Sequence, residues 1–229
     1  MNSVSIIIPT LNESENIEEL LRYLRTSSPE AKLIVSDYGS TDHTVQLAQP
    51  FARIIRSHQG RGRQMNAGAR AASGDIFWFL HADCRPHPES LKAISRAMED
   101  KTVVGGAFEY NLDHPGRFFR LVEFLSNRKN RVLKTFYGDM GIFVRRDVFF
   151  QMDGFKEIPL MEDLDFSLRL KKVGKVVILP FRITTSARRW LEEGIVKNMI
   201  RNWILQIAWS CGADPEKLAK WYRFGNKKI

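Results

Sequence analysis

The chain has 229 residues, of which 44% are hydrophobic and 27% charged, an ordinary globular composition with room for one sizeable core and at most two small domains. No uninterrupted apolar stretch is long enough to span a bilayer, and Cys84 and Cys211 lie far apart at no metal-ligand spacing, so a reduced cytoplasmic protein without disulfides is expected. The net charge of +9 admits nucleic acid, anionic lipid or a phosphorylated substrate; no helix-turn-helix, zinc finger or aromatic RNP strand accompanies it, so nucleic acid is not expected.

The first residues, MNSVSIIIPTLNE, lack a basic leader, and their apolar run stops at Pro9, so no signal peptide is expected. Residues 4–8 are a β-branched run that predicts a strand. Asn12 with Glu15 reads as a capping box, and Ile17, Leu20, Leu21 and Leu24 recur at helical spacing. Residues 33–36 predict a second strand, with Ser40 or Asp42 capping a short helix to Ala48, and residues 53–56 a third. A turn at 60–62 leads into a small-residue helix ending near Gly74, and the fully apolar 76–80 suits the centre of a parallel sheet. Pro88 is placed to start the next helix.

Beyond residue 100 strands are expected at 103–110, 141–145 and 176–179, and helices at 118–133, 162–172 and 195–209. The 162–172 helix should turn Leu164, Leu168 and Val173 inward and stop at Gly174. Strand–helix alternation argues for an α/β fold, a mostly parallel, doubly wound sheet. No linker divides the chain, so a single domain is expected, with a nucleotide half over 1–100 and an acceptor half over 101–229. The basic excess lies mainly after residue 115.

Ligands of doubly wound sheets bind beyond the carboxyl ends of the strands. Four polar clusters fall at such places: Pro9 to Glu13, Asp37 to Asp42, His81-Ala82-Asp83, and Met161-Glu162-Asp163. One loop aspartate alone is more often a helix cap than a ligand. Four clusters directed to one edge are harder to dismiss.

The segments SIIIPTLNE, DYGSTDHT, RQMNAGARAASGD, FLHAD, FVRRDVF with its following GF, and MEDLDFSLRL give the chain a resemblance to family 2 glycosyltransferases, which have the nucleotide-diphospho-sugar transferase (GT-A) fold. It is most similar to a bacterial subgroup with LHAD and a later SARRW, here at Ser186 to Trp190. The resemblance implies an inverting transfer of a sugar from a nucleoside diphosphate, favouring UDP with GDP as the alternative, to an acceptor hydroxyl it does not name. Pro9, Thr10 and Glu13 would surround the nucleoside, Asp37 would read a base N–H, and Arg63 and Asn66 would lie at the nucleotide floor. Asp83 would hold Mg²⁺ or Mn²⁺ against the diphosphate, and Asp163, in the first turn of a helix, would be the general base. Arg188 and Arg189 would add contacts to phosphate oxygens, with Trp190 beside them.

Two positions depart from the family pattern. His81 stands where the first aspartate of Asp-x-Asp is usual; with Ala82 it joins the expected substrate-binding set, and a neutral imidazole can bond a ribose hydroxyl or a transition metal. Tyr38 stands where an aspartate is common. The alternatives are a nucleotidyltransferase and a catalytically silent nucleotide-sugar-binding module. The first calls for a basic Gly-rich loop after the first strand, whereas PTLNESEN is acidic; the second sits poorly with the presence of both Asp83 and Asp163.

The 195–209 helix leaves three readings open. Ile195, Met199, Trp203, Ile204 and Ile207 recur at near-helical spacing, with Ile200, Leu205 and Trp209 widening the stripe. It is a core helix closing the acceptor half, a homodimer contact, or a peripheral membrane contact at the inner face of the membrane.

Overall fold

The computed structural model describes residues 2–225, apart from the side chains of Arg189, Arg223 and Phe224. Strand β1 (Val4–Thr10) is flanked by β2 (Lys32–Asp37) and β4 (Ile76–Phe79), and β3 (Arg53–Arg56) lies beyond β2, all parallel. Helices α1 (Ile17–Ser27), α2 (Thr44–Ala48) and α3 (Arg61–Ala71) are the crossovers. Period-two alternation divides β1 between two cores. Ile6 and Ile8 pack with Leu20, Leu21 and Leu24 of α1, whereas Ile7 packs with Met65 and Ala69 of α3. The small residues of α3 are what lets it lie so close: a Cβ at Gly68 would collide with Ile7.

Past β4 the chain forms β5 (Cys84–Pro86), α4 (Ser90–Ala97), β6 (Val103–Leu112) and α5 (Arg117–Leu133). A 3-10 turn, Gly138–Met140, leads to β7 (Phe143–Arg145) and α6 (Arg146–Gln151). Then come α7 (Glu162–Val173), β8 (Lys175–Thr185), α8 (Arg188–Glu193), α9 (Ile195–Ser210) and α10 (Pro215–Gly225). One eight-stranded sheet in the order β3-β2-β1-β4-β7-β6-β8-β5 carries both halves. It is mostly parallel: β7 runs against both neighbours and β5 against β8, while β6 and β8 are parallel.

Local expectations fail where tertiary contacts override them. Asn12 and Glu15 form no capping box; α1 begins after Asn16, and Asn12, at φ 55°, accepts the Thr41 N–H at 2.9 Å instead. Helix α4 starts at Ser90, two residues beyond Pro88. In α7 the inward residues are Leu164, Phe166 and Leu170, because Phe166 stacks on Phe155 with ring centroids 4.3 Å apart; Val173 is exposed. Strand β8 runs through Pro180 to Thr185, because its register against β6 shifts there: Phe108 faces Leu179 but Glu109 faces Arg182. Pro180 falls in that bulge, where a missing N–H costs no ladder bond.

The core-helix reading of residues 195–209 holds for Leu205, which is buried, and Ile195, which packs against the core, but not for most of the stripe. Helix α9 buries Asn198, Arg201 and Leu205 and exposes Val196, Ile200, Trp203, Ile204 and Ile207. Arg201 pairs inside with Glu193 at 2.6 Å, which fixes the polar side inward. No helix among the described residues is long and apolar enough to cross a membrane.

Candidate active site

The loops after β1 and β2 are laced together at the carboxyl edge of the sheet. Asp37 is buried and accepts the Thr10 hydroxyl at 3.0 Å, the Ser40 N–H at 2.9 Å and the Ser40 hydroxyl. A carboxylate has about four acceptor positions, so most of this one is used within the protein. Asn12 N–H donates to the Ser40 hydroxyl at 2.9 Å, and Glu13 N–H to the Thr44 hydroxyl at 2.7 Å. Asp42 accepts N–H groups from Ser14 and Thr44 at 3.1 and 3.0 Å; those bonds outweigh desolvation and hold its carboxyl well below the usual range. From beneath, the Gln64 amide donates to the Thr10 carbonyl at 2.7 Å and the Ser36 carbonyl at 3.2 Å. Pro9 is half-buried, at the strand end.

The turn after β4 presents His81 half-buried, Ala82 buried and Asp83 exposed, with Cys84 buried behind. Ligand atoms of His81, Asp83 and Cys84 all lie within 4.8 Å of one another. The spacing of the cysteines gave no hint of this; adjacency to Asp83 in the turn produces it. Burial pushes the Cys84 thiol well up, so its sulfur carries its proton. Burial also raises the Glu13 carboxyl, with the charge of Asp83 adding to it, against an Asn16 hydrogen bond and Arg188.

The second half brings its residues to the same edge. Asp163 sits in the first turn of α7; one oxygen accepts the Gly138 N–H at 2.8 Å and the other the Leu164 N–H at 2.7 Å. Met161, just before the helix, is left-handed at φ 67°, an uncommon conformation for a long side chain and a point of backbone strain beside the carboxylates. Gly138 lies where the two halves approach most tightly around the site: a Cβ there would lie 2.6 Å from His81 Nε2 and 3.5 Å from Asp163 Oδ2. The His81 imidazole and the Asp163 carboxylate therefore flank one glycine.

Two site residues escaped the sequence reading. Asp139 follows Gly138; burial first, then the charges of Asp163 and Asp83, push its carboxyl up to about 7. Arg61, the first residue of α3, pairs with the buried Glu162 at 3.4 Å and lies within electrostatic reach of Asp163 and Asp83. Burial raises the Glu162 carboxyl, while Arg61 opposes and Asp163 adds to the shift. The only sequence signal for Asp139 is a short Gly-Asp-Met-Gly between an amphipathic helix and a strand.

Other expected residues are engaged elsewhere. Asn66 is buried and exchanges both amide groups with the backbone of Phe155, at 2.8 and 2.9 Å. Arg63 pairs with Glu157 at 2.9 Å, both half exposed. Arg188 reaches Glu15 at 3.3 Å on the open surface and is close enough to Glu13 to lower its carboxyl. Trp190 packs against the core on the α3 side of the sheet. The side chain of Arg189 lies outside the described residues.

A mostly parallel sheet with polar loops converging at its carboxyl edge and a carboxylate-bearing helix across from them is the arrangement of an α/β fold whose ligands bind beyond the strand ends. Residues 5–156 match the model of glycosyl transferase family 2, and the chain belongs to that family. It is 32% identical over 165 residues to Glycosyltransferase AglE of Haloferax volcanii, covering 63% of this chain and 53% of that one. It is 29% identical over 161 residues to undecaprenyl-phosphate 4-deoxy-4-formamido-L-arabinose transferase of Pseudomonas paraeruginosa, covering 63% of this chain and 48% of that one. The chain thus spans about half the length of these curated relatives. Among solved structures, glucosyl-3-phosphoglycerate synthase of Mycobacterium tuberculosis, in complex with Mn²⁺, UDP and glucosyl-3-phosphoglycerate, superposes with a TM-score of 0.63 over 93% of this chain and 81% of that one, at 21% identity. That likeness is one of GT-A fold.

Proposed function

We propose that the protein is a glycosyltransferase that moves a sugar from a nucleoside diphosphate to an acceptor hydroxyl in one displacement, with inversion at the anomeric carbon. The observation that carries the reading is the meeting at Gly138: the donor-side turn bearing His81 and Asp83 and the acceptor-side carboxylate of Asp163 flank the same residue.

The nucleoside lies against the laced loops, with Thr10 and Glu13 beside it. Asp37 holds Thr10 and Ser40 in place and turns its remaining acceptor position to a base N–H, which both uracil and guanine offer. UDP-sugars are the favoured donors, and titration with UDP, GDP, CDP and ADP in Mn²⁺ separates the bases; tightest binding of ADP contradicts the role of Asp37.

The donor set suits a hard or borderline divalent cation. Asp83 is exposed at the strand end, a histidine nitrogen is at hand, and Glu13 and Asp139 are both raised partly by the charge of Asp83, a negative concentration that a cation would relieve. Asp83, with His81, would hold Mg²⁺ or Mn²⁺, which when bound offsets charge developing on the diphosphate leaving group. Asp163 accepts the acceptor's proton; its two backbone N–H bonds and the positive end of α7 fix it in place for that role. Asp139, whose carboxyl burial and the charges of Asp163 and Asp83 raise to about 7, presents a hydroxyl donor below that value and adds a negative charge only above it. Arg188 stands on the Glu13 side, where a phosphate oxygen would draw it from Glu15.

The test is release of nucleoside diphosphate from UDP-sugars by the wild type, Asp83→Ala and Asp163→Asn. Both variants should lose turnover. Asp83→Ala should also lose Mn²⁺-dependent UDP affinity, whereas Asp163→Asn should keep it. Wild-type turnover in excess EDTA would remove the metal role, and a product of retained configuration would remove the single displacement.

A further inference from the structure

Two helices of this protein are built with their polar faces inward. On α5, Glu123 accepts the Leu112 N–H at 2.7 Å, and Asn127 exchanges two hydrogen bonds of 2.8 Å with the Tyr110 backbone. On α9, Asn198 and Arg201 are buried and bonded to each other at 2.7 Å. Phe119 and Val122 of α5 and Leu205 of α9 are buried beside these polar groups, but most of the other large apolar side chains of the two helices face outward. Leu121, Phe124 and Leu125 of α5 are 52%, 61% and 53% exposed, and Val196, Trp203 and Ile207 of α9 are 56%, 53% and 64% exposed. Eleven of the sixteen large apolar side chains exposed among the described residues lie on α5 and α9, so exposure is concentrated on these two helices rather than scattered.

Helices α5 and α9 meet. Lys129 of α5 donates to the side-chain amide oxygen (Oε1) of Gln206 on α9 at 3.2 Å, and the Tyr137 hydroxyl donates to the same oxygen at 3.0 Å. Exposed apolar side chains gathered on two touching helices mark a docking face. Its charges decide what covers it. Helix α9 contains no acidic residue, and the one acid of α5, Glu123, is buried. Arg117, Arg128 and Lys197 are exposed among the apolar side chains. A second copy brought up by two-fold symmetry would set this cationic patch against itself. A bilayer surface with anionic headgroups accommodates both components: it takes up the apolar side chains to the depth of the acyl boundary and pairs the cations with phosphates. Trp203, amphipathic and half exposed, suits that boundary.

We propose that the α5–α9 face seats the protein on an anionic bilayer surface, lying in the interface and not crossing it. Tyr137 of this face adjoins Gly138, whose N–H donates to Asp163, so seating would bring the Asp163 side of the site toward the membrane.

Flotation of the full chain with vesicles of phosphatidylcholine alone, or with about 30% phosphatidylglycerol, tests this without substrate, so its outcome is separate from that of the transfer assay. The wild type should float with the anionic vesicles and little with the neutral ones, and binding should fall as NaCl rises from about 0.1 M to about 0.5 M. Ile204→Asp with Ile207→Asp should weaken binding roughly tenfold or more while the circular dichroism spectrum stays native, since both side chains are already about half exposed or more. Arg128→Glu with Lys197→Glu should abolish the preference for anionic vesicles with the apolar face intact. Wild-type protein that ignores anionic vesicles would overturn the proposal. So would a sedimenting dimer that the Ile204→Asp, Ile207→Asp pair dissolves, which would make the face a self-contact.

Discussion

Gly138→Ala is the substitution that probes the meeting of the two halves most sharply. The added Cβ would lie 2.6 Å from His81 Nε2, about 0.8 Å short of the 3.4 Å at which ordinary contact begins, and at 3.5 Å from Asp163 Oδ2 it barely touches the carboxylate. Something must move by nearly an ångström, either the imidazole or the Gly138 turn. Turning the imidazole aside costs little fold stability; shifting the turn costs about 1–3 kcal/mol, as overpacking does, or a few degrees of Tm for each kcal/mol in a chain of this size. The effect on turnover should be larger, because an ångström of misplacement at reacting groups costs about a hundredfold. The assay is UDP release from the preferred UDP-sugar, with UDP affinity measured in parallel. We expect kcat to fall about a hundredfold, with UDP affinity measured without divalent cations within a few-fold of wild type. The same substitution in a His81→Ala background should cost little further, because the clash is gone; the two losses should be strongly non-additive. Full additivity, or an undiminished kcat in Gly138→Ala, would refute the idea that His81 and Asp163 are coupled through this glycine.

Other outcomes follow from the same geometry. Asp163→Asn should lower kcat by about 10²–10⁴ with donor affinity retained; near-normal turnover with loss in Glu162→Gln would move the base to Glu162. The Asp139 carboxyl is raised from 3.8 to about 7, so the folded state keeps a proton that the unfolded state releases between those values. Its burden on stability is absent below the lower value, grows as pH rises and is complete above the higher one. Asp139→Asn, measured without divalent cations, should therefore raise Tm relative to wild type more at pH 8 than at pH 5; an equal change at both would contradict the assignment. Asn66→Ala strands the buried N–H and C=O of Phe155 and should cost about 2–4 kcal/mol in urea unfolding with UDP affinity little changed. Unchanged stability with lost UDP affinity would instead place Asn66 at the nucleotide floor.

The first half of the fold was legible because its signals are local. A β-branched run ending at Pro9, a helical stripe of Ile17, Leu20, Leu21 and Leu24, and an apolar 76–80 each announce their element. The polar residues at the strand ends were readable for the same reason: in a parallel sheet their address follows from the strand. What was not legible depends on pairing at a distance. Asn12 looked like a cap but spends its side chain on Thr41, across a loop the sequence does not join to it. Asp139 and Arg61 enter the site only because the 3-10 turn and α3 are brought beside α7. Helix α9 was left with three readings because its apolar stripe is wider than one core needs, and nothing in the sequence announces that the ion pair of Arg201 with Glu193 turns the polar side in.

The central claim, that this site cleaves the bond between sugar and diphosphate, is tested most directly by following a UDP-sugar in Mn²⁺ by phosphorus NMR with wild type and Asp83→Ala. Glycosyl transfer, or slow hydrolysis where no acceptor is supplied, predicts that the wild type converts the two donor phosphorus signals to those of UDP and that Asp83→Ala does not. Conversion to UMP and a sugar phosphate, or equal rates for the two proteins, would contradict it.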